Sequence, residues 1–473
     1  MPAPFHTIWL GGSPPLRVLD NLCHLLRFSS EDPTGCPPLL WLDRSAWHHL
    51  QQGAPLHLQR LPAVQAPAAL VEAIRPLLSS PPERGHWLRI DHPAGAQHVP
   101  VLLLEEHREA LAAPWQAIGP AIKALAGLGA TADGQHLLEQ ELGLADPAAA
   151  ALLEPQALLA YLHTLLEHAR RHWVAHGLLC LASDLLRLLA LAWQPGVYGD
   201  LGDVAGRLLQ LPSLAMAGAT GFCAHHTVAI ENDLIVATDR VTLQAITLAT
   251  ALWSWRNVRA IALRLQIEPA EAEPAALLQA VLPHLDQRLP RPPSLAPLLQ
   301  PPWTRLADYI NLAYGAAPVF HPATDLAPYS AGRRGKELLI NDVGGFTGYQ
   351  KAAHHLAPGN ASAWRGCGAQ LGLNDYAPQL GWKTHGFGAI DRLIDGGQRL
   401  RSATTGAAMA AATRLDLSLL AASLGLSPDR IEAIALLAHQ LHQLLSRAQL
   451  QPLQRRHWLA QVEALCAETH LTG

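Results

Sequence analysis

At 473 residues the chain is long enough for one large domain with additions, or for two to three domains of ordinary size. Hydrophobic residues make up 49%, with Leu and Ala prominent, so helix should outweigh strand. A formal net charge of −4 leaves no basic footprint for nucleic acid or an anionic membrane, and the six scattered cysteines, without a CxxC pair, argue against a zinc module or a disulfide framework.

The first predicted element is a strand over Phe5 to Leu10, ended by Gly11-Gly12 and a Ser13-Pro14-Pro15 turn. Leu16, Leu19, Leu22, Leu25 and Leu26 then recur at helical spacing, which predicts a helix to about Phe28. Pro37-Pro38 introduces a second strand, Leu39 to Leu42, closing on Asp43. Strand, helix and strand in this order read as the opening of an α/β unit. Residues 106–195 carry helical patterns. One apolar stripe runs from Leu152 to Leu166, and Leu178 to Trp193 is apolar on nearly all sides, as a buried helix packed on a sheet would be.

Gln194-Pro195-Gly196 stops that helix and Val197-Tyr198 begins an extended segment. Val228 to Ala237 reads as a strand, or as strand-turn-strand around Glu231-Asn232-Asp233. Residues 284–303 are rich in proline and read as a linker or surface excursion; 413–470 read as amphipathic helix. The N-terminus shows no basic stretch leading into a long apolar run, so no secretory leader is expected. The most apolar run, Leu185 to Trp193, is shorter than a bilayer span and contains Arg187, so no transmembrane segment is expected. The expected location is the cytoplasm, or the outside by a route that needs no classical signal.

Two features carry chemistry. The strand ending in Tyr198 delivers Asp200 and Asp203 close together. Either this is a polar turn, or the mutual repulsion of the carboxylates is relieved by Mg²⁺ or Mn²⁺, which take oxygen ligands and keep room for phosphates. Glycines on both sides would let a diphosphate approach the backbone. In the preceding helix Asp184 and Arg187 stand three apart on one face of an otherwise apolar run. Burial requires that they pair with each other or with a ligand.

The run Ala182-Ser183-Asp184-Leu185-Leu186-Arg187, followed by Gly196-Val197-Tyr198-Gly199-Asp200-Leu201-Gly202-Asp203, is similar to the S-D-x-x-R … G-G-x-Y-x-D-x-D segment of glycosyltransferases with a DXD sugar-binding region. These include the catalytic domains of clostridial glucosylating toxins and the arginine-modifying bacterial effectors. His6-Thr7-Ile8-Trp9-Leu10-Gly11-Gly12 resembles the family's I-H-x-I-W-x-G-G start, and Leu40-Trp41-Leu42-Asp43 its L-W-x-D second strand. The resemblance implies an α/β fold: a GT-A, Rossmann-like nucleotide-sugar-binding core with large helical insertions and a helical C-terminal tail. Ile8, Trp9 and Gly11 would then line the nucleotide pocket, with Trp9 stacking on the base. Asp184 and Arg187 would contact sugar and nucleotide. Tyr198 would sit beside the nucleotide, Asp200 on ribose or sugar hydroxyls and the metal, and Asp203 on Mn²⁺ or Mg²⁺ at the diphosphate. Glu231, about thirty residues on, matches a Glu-Asn pair placed near the acceptor in the arginine-modifying effectors. Phe346-Thr347-Gly348-Tyr349 and Ala403-Thr404-Thr405-Gly406-Ala407 are similar to the family's T-G-P element without its proline, and Trp382-Lys383-Thr384-His385 to its closing loop.

One departure stands out: the family's Asp-x-Asp is Asp200-Leu201-Gly202-Asp203 here. Either Asp203 serves as ligand from a bulged loop, or Gly202 replaces the ligand. The expected organisation is a core over residues 1–260 with a helical insertion at about 106–170, a helical and Pro-rich connection over 261–330, the remainder of the core over 331–410, and a helical extension over 411–473. The expected activity is metal-assisted transfer of a hexose or N-acetylhexosamine from a UDP-linked donor to a protein side chain or glycan. The alternative is a non-catalytic relative that acts by binding.

Overall fold

The computed structural model describes residues 4–11, 22, 38–52, 58–62, 86–92, 95–173, 179–200, 221–225, 229–267, 273–287, 295–314, 339–356, 387–402, 406–448 and 455–468. The strands are β1 (Phe5–Trp9), β2 (Pro38–Leu42), β3 (Leu58–Pro62), β4 (His86–His92), β5 (Gly95–Leu103), β6 (Val197–Gly199), β7 (Gly221–His225) and β8 (Ala229–Val236). The principal helices, in chain order, are α1 (Arg44–Gln52), α2 (Pro155–Arg171), α3 (Leu179–Trp193), α4 (Arg240–Arg264), α5 (Pro274–Asp286), α6 (Thr304–Tyr314), α7 (Phe346–Leu356), α8 (Phe387–Arg401), α9 (Ala407–Leu424), α10 (Pro428–Ala448) and α11 (Arg455–Glu468). This is a mixed α/β protein.

The chain divides into two compact units. The first comprises 1–171, 179–282 and 340–376; the second comprises 172–178, 283–339 and 377–473. In the first unit, one sheet has the order β3-β4-β5-β2-β1-β6-β8-β7. Its centre, β5-β2-β1-β6, is parallel. Antiparallel pairs flank it: β3 and β4 beyond β5, and β8 and β7 beyond β6. From β1 the chain moves to β2 on one side, and later returns to β6 on the other side of β1. The carboxyl ends of β1 and β6 therefore bound a topological switch point, where open α/β sheets leave a crevice.

The central strands are largely apolar and buried. Trp41 of β2 is fully buried, stacked on His6 and edge-on to Trp193 and His107, with centroid separations of 6.4, 5.6 and 5.7 Å. Its indole Nε1–H donates to His6 Nδ1 at 3.1 Å. An indole can only donate, so His6 carries its hydrogen on Nε2 and donates to the Gln194 carbonyl at 3.0 Å. Gly196 lets β6 close onto β1: a Cβ there would lie 2.3 Å from the Pro4 carbonyl oxygen. The sheet itself uses this glycine, whatever approaches from outside.

Helix α3 packs on β1, and the long α4 packs against α3 and α7. Two polar groups buried along α4 find partners: Ser254 Oγ lies 2.6 Å from Tyr161 Oη and also donates to the Val343 carbonyl, and Gln244 donates to the Pro114 carbonyl at 2.7 Å.

Of the two readings of residues 228–237 the uninterrupted strand holds, with residues 231–233 inside β8. One expectation changes: 284–303 is not simply a linker, since Leu298, Leu299 and Trp303 are buried in the second unit's core. That core is helical, formed by α6 and α8 to α11. Of the helix expected over Leu16–Phe28, only Leu22 is described; it is helical and buried. Among the described residues, no single helix is long and apolar enough to cross a membrane.

Candidate functional site

The switch point gathers the residues singled out from the sequence. Trp9 ends β1, with Gly11 two residues beyond; Tyr198 lies in β6 and Asp200 just past its end. Because β8 runs antiparallel to β6 with Leu234 opposite Gly199, Glu231 lies beyond the carboxyl end of β6, at the same sheet edge as Asp200. Helix α3 brings Asp184 and Arg187 to this edge from one side of the sheet.

Arg187 links the two carboxylates. Its Nη2 is 2.9 Å from Asp184 Oδ1 and 3.4 Å from Asp200 Oδ1. The same nitrogen donates to Ser183 Oγ at 3.2 Å, and Nε donates to the Ser183 carbonyl at 3.3 Å. The guanidinium carbon stands over the Tyr198 ring, 4.5 Å from its centroid. Tyr198 gives its phenolic hydrogen to Asp200. Burial, with the Asp200 carboxylate beside it, holds the Tyr198 phenol well above the ordinary tyrosine range. Of the two readings of the Asp184–Arg187 pair, the mutual ion pair is observed, and Arg187 also reaches Asp200 beyond the end of β6.

Exposure separates these residues into two layers. The Arg187 side chain is 3% exposed and Tyr198 is fully buried, whereas Asp184 and Asp200 are 20% and 29% exposed. Arg187 and Tyr198 hold the carboxylates from behind, and the exposed layer is acidic. Such a surface accepts hydroxyl or amine hydrogens. Ile8 is buried and Trp9 partly exposed, so of these two only the Trp9 ring has an accessible face.

Gly11 has φ +86°, which favours glycine, and Leu179 occupies the place where a Cβ would go. Its amide donates to Asp43 Oδ1 at 3.1 Å. Beside the acidic edge runs a narrow groove lined by Asp184, Leu185, Thr250, Gly344, Phe346 and Tyr349. The sequence element resembling T-G-P thus opens α7 at this groove. Gly348 allows α7 to lie close on α4, since a Cβ would stand 2.5 Å from that of Trp253. The other two sequence matches, over 382–385 and 403–407, fall wholly or largely outside the described residues, as does Asp203.

The chain matches no established family description, no curated protein and no solved structure.

Behind the Gly11 turn Asp43, the last residue of the L-W-x-D match, meets Arg170 at 3.6 Å, a residue that no sequence pattern singles out. As for a cation, no group of three or more His, Cys, Asp or Glu able to hold one occurs among the described residues. Asp200 offers one partly exposed carboxylate, suited to share a divalent ion with phosphate oxygens but not to hold one alone.

Proposed function

We propose that the first unit is a GT-A-type glycosyltransferase core that binds a nucleotide sugar at the β1/β6 switch point. The observation behind this is the Arg187 link between Asp184 and Asp200, located where parallel-sheet crevices take nucleotide ligands. In this reading the Trp9 ring stacks on the base. Asp184 and Asp200 accept hydrogens from sugar or ribose hydroxyls, held in place by Arg187 and Tyr198. Mn²⁺ or Mg²⁺ bound to the diphosphate, with Asp200 and Asp203 as candidate ligands, would supply Lewis-acid assistance to the departing nucleoside diphosphate. The donor's bond from C1 to the diphosphate breaks and a bond from C1 to the acceptor nucleophile forms. The acceptor proton passes to a base, for which Glu231 is the candidate by its place on the sheet edge. The transferred group is a hexose or N-acetylhexosamine, the donor UDP-linked, and the acceptor a protein side chain or glycan.

The alternative is a binding protein without transferase activity. Asp200 already has Arg187 and Tyr198 as partners, so its charge is met without a cation. A panel of UDP- and GDP-sugars with and without Mn²⁺, read by thermal shift and nucleotide release, separates the two. Donor-induced stabilisation with release, both lost in Asp200→Ala, supports the transferase. Stabilisation without release in any acceptor mixture supports the non-catalytic relative, and no donor effect at all rejects the transferase.

A further inference from the structure

We infer that Asp43 is a positioning residue that clamps the Gly11 turn into the shape the donor site requires, resting on the nucleotide-sugar reading above. Asp43 ends β2, and its buried side chain serves two elements at once. Oδ1 accepts from the amide of Ala46 at 2.7 Å, which caps the N-terminus of α1. The same oxygen accepts from the amide of Gly11 at 3.1 Å, 32 residues away in sequence. Ser45 adds a second tie, from its Oγ to the Gly11 carbonyl at 3.3 Å.

Behind Asp43 stands an ionic group that holds it in place. Arg170 Nη1 lies 3.6 Å from Asp43 Oδ2 and 2.8 Å from Glu105 Oε1, and Nη2 lies 2.9 Å from Glu167 Oε2. Glu105 also accepts the amide of Arg44, the first residue of α1, at 3.1 Å. A carboxylate needed only as a cap would be served by water at an exposed helix end. Here it is buried, backed by an arginine, and tied to the turn that follows Trp9. Fixing that turn before the ligand arrives removes an ordering cost from binding.

Substitutions at Asp43 separate the clamp from the cap. Serine caps helices nearly as well as aspartate but has shorter reach, so Asp43→Ser keeps α1 and releases Gly11. Asparagine keeps an oxygen for both amides. We expect Asp43→Ser in the full chain to keep its melting temperature within about 3 °C. Hydrogen exchange of the peptide covering residues 4–11 should quicken, and UDP-glucose affinity should fall on the order of 10-fold. Asp43→Asn should restore both properties to within about 3-fold. Unchanged exchange in Asp43→Ser would overturn the clamp, and quickened exchange with unchanged affinity would overturn its role in donor binding. If the unaltered protein binds no nucleotide sugar, the donor reading fails, and the exchange result alone decides the clamp.

Discussion

The guanidinium of Arg187 lies over the ring of Tyr198 while its Nη2 reaches the carboxylates of Asp184 and Asp200. One buried cation therefore serves two anions and an aromatic face. Replacing it with methionine keeps most of the volume but leaves two carboxylates that had shared one nitrogen. The expected loss is about 2–3 kcal/mol at pH 7, below that for a fully buried pair because both carboxylates reach solvent. Urea denaturation of the two proteins at pH 7 checks the size.

Removing only the Tyr198 hydroxyl tests the other support. Tyr198→Phe takes away the hydrogen given to Asp200 and leaves the ring under Arg187. Stability should fall by about 1–2 kcal/mol. Because Asp200 then has one donor fewer, donor-induced thermal shift should fall by more than the stability change explains. An identical loss in both would mean that Tyr198 serves only packing. In the unaltered protein, the phenol should stay protonated to higher pH than an exposed tyrosine, which ultraviolet difference spectra of the two proteins can follow.

His6 gives a pH dependence with a definite sign. Burial lowers its pKa from 6.5 to about 4, partly offset by the Gln194 carbonyl. The folded state thus favours the neutral ring, which accepts from Trp41 and donates to Gln194. Its contribution is fully present above pH 6.5 and is lost progressively as pH falls through about 4. His6→Gln should be less stable than the unaltered protein at pH 7, and the difference should narrow across this window. A difference that stays constant from pH 7 to 4 would show that His6 does not titrate with folding.

Much of the acidic edge at the switch point was legible in the sequence because its determinants are local. Leu178 to Trp193 reads as a buried helix, and Asp184 and Arg187 at i and i+3 within so apolar a run call for pairing with each other or with a ligand. What local pattern cannot supply is which distant groups meet. Nothing in Asp43 and Arg170, 127 residues apart, announces a contact at 3.6 Å. The polar Glu231-Asn232-Asp233 run left strand and strand-turn-strand open, and pairing before and after it in β8 keeps it extended. The prolines of 284–303 suggested an excursion, while Leu298, Leu299 and Trp303 found a core that only the folded helices provide. Tyr198 and Arg187 were legible as members of the site, but not as its buried layer, because depth depends on how α3 lies on the sheet.

In the second unit, two neighbouring glycines in α8 give opposite expectations. A Cβ at Gly397 would lie 2.0 Å from the Ala435 carbonyl oxygen, a backbone atom of α10 that cannot swing aside. A Cβ at Gly396 would meet only the Leu417 side chain, at 3.1 Å, which can adjust. In a helix interior, alanine is favoured over glycine by about 1 kcal/mol when nothing else changes. Gly396→Ala should therefore be neutral or slightly stabilising. Gly397→Ala must push α8 away from α10 and open the packing between them, so it should cost about 2–3 kcal/mol. Parallel denaturant titrations of the two variants test this directly. Equal effects would mean that α8 and α10 do not approach at Gly397, because only a close approach there distinguishes two adjacent residues of the same type on the same helix.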